Sequence, residues 1–271
     1  MTVDWFDELQ LTPGPPWHAM GTRSLDADRW LLADDHRADE LAAKRRLVDE
    51  HPGVVVASVA GRATVAAEAE VAEAIAATAG GELDPTRSPL VSAALLVQED
   101  LCVVQRDGEG RWRLTAGVVC FPSMWRLADK IGLPLADVHG PVPAYADELA
   151  ARVDRFVDRL RDDRPVWRRN WLIHASDELH LPEPPPPPDE PPVVPDGLWL
   201  RSERQTLRRF ASSGAVLFTI RTQQVPLASV ADRPDVARGL ASSIAGWSPE
   251  LVGYRSAASW RDPAIAWLAS C

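Results

Sequence analysis

The sequence has 271 residues, 46% hydrophobic and 25% charged, which is chain enough for one large globular core with extensions. A formal net charge of −10 argues against the concentrated basic surface that nucleic acid or an anionic membrane needs, and leaves small molecules and proteins as partners. The segment after Met1 is acidic and interrupted by proline, no apolar run reaches about 18 residues, and Cys102, Cys120 and Cys271 are too few and too scattered for a zinc or iron–sulfur cluster; the expectation is a cytoplasmic protein with reduced thiols.

Residues 1–33, with Pro13-Gly14-Pro15-Pro16, read as an extended arm. Helical spacing of Ala38, Leu41, Ala42 and Val48 predicts a helix over 35–50, stopped by Pro52-Gly53. Val65, Val71 and Ile75 predict a second helix over 64–78, terminated at Gly80-Gly81. Together these form an N-terminal helical layer. From Ala94 the pattern changes to a β-hairpin, in which Leu95 to Val104 and Trp112 to Val118 flank the turn Asp107-Gly108-Glu109-Gly110. Ser123 reads as the cap of a short helix over 124–131, and a longer amphipathic helix spans 145–161. Between them lies Val138-His139-Gly140-Pro141-Val142-Pro143.

A strand over 166–174 puts Trp167, Arg169, Trp171 and Ile173 on one side and Arg168, Asn170, Leu172 and His174 on the other. Five consecutive prolines within 182–195 make a polyproline linker. Two strands then flank Ser212-Ser213-Gly214. In the first, Arg201, Glu203 and Gln205 alternate with Ser202, Arg204 and Thr206, so neither face is an ordinary core face. Either this is a solvated edge strand, or Glu203, Arg204 or Arg221 faces a polar pocket, because an unpaired buried charge is very costly. Two short helices, near 231–244 and 263–270, close the chain. Eleven Trp stand against two Tyr, many beside Arg, as amphipathic cover or cation–π partners.

Two strands, helices, then three strands predict an α+β fold: a PAS-like antiparallel sheet with helices over one face, plus an N-terminal helical extension. The division is 1–90 for arm and helical extension, 91–230 for the core and 231–271 for a C-terminal extension. Of six histidines, His139 stands out, fixed between Val138 and a proline-restricted turn ahead of a long helix; a haem ligand, a general base and an ordinary loop histidine all fit that position. His174 is the second candidate, and Cys120 is a further alternative as iron ligand. Phosphate-loop, dinucleotide, zinc-protease and nucleophile-elbow motifs are absent.

Several motifs occur in a linked order: Gln98 to Cys102, Trp112 to Thr115, Cys120-Phe121-Pro122-Ser123, Trp125-Arg126-Leu127, Val138-His139-x-Pro141-Val142-Pro143-x-Tyr145, Val166-Trp167-Arg168-x-Asn170-Trp171, and the hairpin Arg201–Arg209 with Phe218–Thr222. In these the chain resembles the haem-dependent oxidative N-demethylase α-subunit-like family. The resemblance implies haem b in a PAS-type pocket, with His139 on the iron and Trp171 and Arg168 as further cofactor contacts. It implies O2 activation to oxidise a small methylated amine, with Glu203 holding the ammonium and Arg204 or Arg221 polarising bound O2, one of the two pointing away. Electrons would come from a separate reductase or electron-transfer protein. Gln223 stands where an aromatic residue is expected, and is expected to reshape the pocket. A haem-based gas or redox sensor, and a different haem oxidation in specialised metabolism, are the alternative functions.

Overall fold

The computed structural model describes residues 5–11, 21–26, 28–139, 147–184 and 190–271, without the side chains of 139 and 147–152. The elements are β1 (Arg23–Ser24), α1 (Arg37–Glu50), α2 (Pro52–Val55), β2 (Val56–Ser58), α3 (Arg62–Ala79), α4 (Pro89–Ala94), β3 (Asp100–Arg106), β4 (Trp112–Val118), α5 (Leu135–His139), α6 (Asp147–Arg159), β5 (Val166–His174), β6 (Trp199–Arg209), β7 (Val216–Pro226), α7 (Pro234–Ala245), α8 (Pro249–Tyr254) and α9 (Arg261–Ser270). The Ala-rich α3 ends where Gly80 takes φ +69°, a left-handed conformation that costs glycine nothing, and its amide closes onto the Ala76 carbonyl.

The seven strands pair antiparallel in the order β1-β5-β6-β7-β3-β4-β2, an α+β fold. Register fixes which residues share a face, since directly opposed residues point the same way. On the front lie Arg168, Asn170, His174, Arg201, Glu203, Gln205, Phe218, Thr222, Cys102 and Val104; on the back lie Arg169, Trp171, Ser202, Arg204, Leu217, Arg221, Gln223, Leu101 and Val103. Cys102, Val104, Leu114 and Val216 form one apolar cluster with Leu135 of α5 and Val157 of α6, so the two central helices close the front. Leu101, Val103 and Leu217 join Val71 and Ile75 of α3, and Trp171, Ile173 and Leu200 join α7, α8 and α9. The terminal helices therefore cover the back.

Two local expectations fail for identifiable reasons. The predicted helix over 124–131 shrinks to one 3-10 turn, Leu127–Asp129, because Met124 has φ +60° and its amide is drawn to the Leu181 carbonyl at 2.6 Å. The segment 138–143 is expected to be loop, yet Val138 and His139 finish α5, a helix too short for periodicity to reveal.

Candidate active site on the front of the sheet

Glu203 sits in the middle of β6, 7% exposed, with Asn170 opposite on β5 and Thr222 opposite on β7. Its Oε1 accepts from Ser123 Oγ at 2.8 Å, and its Oε2 accepts from Asn170 Nδ2 at 3.0 Å and Gln205 Nε2 at 2.9 Å. Asn170 Oδ1 in turn accepts from the Glu203 amide at 3.2 Å. A carboxylate offers about four acceptor positions. Three are filled by uncharged donors, Arg168, Arg201 and Arg255 act on the group through their charges, and the fourth position, on Oε1, has no hydrogen-bond donor among the described residues.

Ser123 reaches Glu203 because its loop is gripped from both sides. Asp100 accepts from the amides of Cys120 and Phe121 at 2.9 and 2.7 Å. Arg201, wholly buried, donates to the carbonyls of Phe121, Pro122, Glu178 and Leu179 at 2.8 to 3.2 Å. Ser123 thus serves Glu203 instead of capping a helix, a role that no local signal announces across 80 residues. Burial pushes the Cys120 thiol up to about 12, with Asp100 adding to the shift, and Cys102 rises for the same reasons, so neither is a thiolate.

Two more front residues carry unsatisfied groups. Among the described residues, the buried hydroxyl of Thr222, 1% exposed, has no hydrogen-bond partner, and neither has Nε of the partly buried Arg168. Burial lowers the pKa of Arg168, against the pull of Glu203, but the two form no ion pair. His174, at the end of β5, is buried with Nε2 unpartnered among the described residues; burial, then Arg201 and Arg255, bring its pKa to about 3, so it is a neutral imidazole across the physiological range. His139 is the last residue of α5, over the front; its side chain lies outside the described residues.

The remaining expected site residues belong to the back. Arg204 and Arg221 are register partners, so both point to the same face, away from Glu203. Arg221 pairs with Asp34 Oδ2 at 2.6 Å and with Glu40 Oε2 at 2.9 Å. Arg204 donates to the Arg29 carbonyl at 2.9 Å and lies over Trp167. Trp171 stacks on Trp247 with centroids 6.0 Å apart and donates to the Gln10 carbonyl. Gln223 donates to Asp34 and accepts from Arg169, so it serves the N-terminal layer and leaves the front untouched.

The back network has an acid signature. Burial opposes the charge on Asp34, but Arg221, Gln98, Gln223 and the His36 amide outweigh it and leave the pKa lowered; for Glu40 burial wins and the pKa is raised. Asp34 therefore contributes stability that is present above about pH 4 and lost as pH falls below it, while Glu40 contributes with the opposite slope. Asp34→Asn is expected to flatten the loss of stability between about pH 2 and 4, read from urea midpoints across that range. An unchanged slope would remove Asp34 from the account.

Clefts of 580 and 810 Å³ open at the β6–β7 turn, lined among others by Arg209 and Phe210, and neither is bordered by Glu203, Arg168 or His174. The functional reading rests on side-chain chemistry and on kinship. Residues 71–265, more than half of the chain, match the model of the family described as haem-dependent oxidative N-demethylase, alpha subunit-like. The chain belongs to this family. Membership points to a haem-dependent oxidative demethylase-like function in general terms. At one end of the front the residues suit a haem: apolar Val166, Leu207 and Phe218 beside Val153, Phe156 and Val157 of α6 would flank a porphyrin, and the Arg168 guanidinium lies within the same face, whereas the neutral His174 stands at the opposite end of β5 from Val166. Among the described residues, no helix is long and apolar enough to cross a membrane.

Proposed function

We propose that this chain binds haem b between α5, α6 and the front of the sheet and uses it to oxidise the methyl group of a small amine. When bound, the haem supplies O2 activation. In the balanced reaction one N-methylamine, one O2, two electrons and two protons give the demethylated amine, formaldehyde and water, and the two electrons come from a separate reductase or electron-transfer protein. Glu203 carries the proposal: a fixed carboxylate with one open acceptor position receives the N–H of a protonated amine and holds its methyl group in one orientation. Ser123, Asn170 and Gln205 are positioning residues for that carboxylate. His139, at the C-terminal end of α5, is the proposed iron ligand, with His174 as the competing nitrogen. Arg168 is assigned to the cofactor side. Arg204, Arg221 and Trp171 act from the back of the sheet by fixing the strands that present Glu203 and Asn170.

The test is spectroscopic. Protein reconstituted with haemin is expected to show a stoichiometric Soret band in ferric, ferrous and ferrous–CO forms, and His139→Ala to shift or collapse it. If His174→Ala does so instead, the ligand is reassigned; if the wild type takes up no haem, the oxidase proposal fails.

A further inference from the structure

We propose that Arg168 and Thr222 form a carboxylate-binding subsite beside Glu203. Thr222 stands directly across β7 from Glu203, and Arg168 stands across β5 from Gln205, one front-facing position along from Asn170. That puts Arg168 diagonal to Glu203, at a Cα separation of about 7–8 Å expected for such neighbours. The side chains could meet, yet Ser123, Asn170 and Gln205 occupy the Glu203 oxygens, and no ion pair joins the two residues.

The contrast with the other sheet arginines is sharp. Arg169 donates to Glu8, Arg201 to four carbonyls, Arg204 to the Arg29 carbonyl and Arg221 to Asp34 and Glu40, while Arg208 lies over the rings of Trp30 and Phe210. Arg168 makes no hydrogen bond and covers no ring among the described residues, and its Nε is buried. The residue is only partly buried and its terminal nitrogens are left to take up an acceptor, and the planar fork of the guanidinium matches a carboxylate in bidentate fashion. The Thr222 hydroxyl, without a partner among the described residues, supplies a further donor from β7, on the other side of β6 from Arg168.

A carboxylate can reach this position from two sources: a haem propionate, or a carboxyl group on the amine substrate, which would make the substrate an N-methylated amino acid. Both rest on reading the front as the haem and substrate face, and the following experiment separates failure of that reading from failure of the subsite. Wild type, Arg168→Leu and the nearly isosteric Thr222→Val are titrated with haemin and with haemin dimethyl ester, followed by the Soret band. The haem-loaded proteins are then titrated with N,N-dimethylglycine and dimethylamine.

If a propionate fills the subsite, wild type binds haemin about 10- to 100-fold tighter than the diester, and Arg168→Leu erases that preference. If the substrate fills it, haemin and diester bind alike, and N,N-dimethylglycine binds more tightly than dimethylamine in wild type but not in Arg168→Leu. Thr222→Val is expected to lose part of whichever preference exists, and it carries the test should Arg168→Leu fail to fold. Equal binding of both members of each pair in wild type, or preferences that survive both substitutions, overturns the subsite. If wild type takes up no haem, the oxidase reading is what has failed. Calorimetry of the haem-free protein then decides the subsite: binding of N,N-dimethylglycine weakened by either substitution sustains it, and its absence, or its persistence in both variants, overturns it.

Discussion

Replacing Arg221 by Leu is expected to cost about 3–5 kcal/mol of folding stability, the range for breaking a buried ion pair from one side. Arg221 is wholly buried, Glu40 is nearly so and Asp34 is partly buried, so its loss strands two carboxylates, and the Gln98 and Gln223 amides that also serve them cannot supply a positive charge. Adding Asp34→Asn and Glu40→Gln to the variant removes the stranded charges and is expected to restore a large part of the loss. Urea unfolding of the wild type, the single variant and the triple variant measures both. A loss below about 1 kcal/mol in the single variant would mean that water enters and compensates, and the network would then be decoration.

The largest functional effect is expected at Glu203. Glu203→Gln keeps the volume but removes the negative charge, and its amide nitrogen would confront Ser123, Asn170 or Gln205, each of which donates to an oxygen in the native arrangement. A charge-assisted hydrogen bond is worth about 1.5–3 kcal/mol, so kcat/KM for a methylated amine should fall about 10- to 150-fold with the haem spectrum intact. Loss of haem together with activity would show that Glu203 supports the cofactor site, and an unchanged kcat/KM would sink its role as the ammonium partner.

Much of this site was legible residue by residue, and its assembly was not. Period-two alternation separates Glu203 from Arg204 and Arg168 from Trp171, and the strands over 166–174, 199–209 and 216–226 stand close to where propensity and turn residues put them. Register is what a single sequence withholds. Only the pairing of Arg204 with Arg221 shows that both arginines share the back face, where the expectation had one of them turned away from the other. Ser123 misled because a serine before a helix-compatible run reads as a cap, whereas a long-range acceptor and the left-handed Met124 decide its use. The N-terminal acids give no local signal for a similar reason. Asp34 and Glu40 look like ordinary solvated residues at the start of an amphipathic helix until the sheet brings Arg221 beneath them.

The ionic seam between the N-terminal layer and the back of the sheet also bears on inheritance. Asp34 and Glu40 meet Arg221, and Glu8 meets Arg169, across spans of well over a hundred residues. Each partner is tolerable only in the presence of the other. Single replacements at these positions lower stability, so relatives of this chain should keep the sets whole or exchange them together for apolar residues, and the two sides of the seam should drift as one.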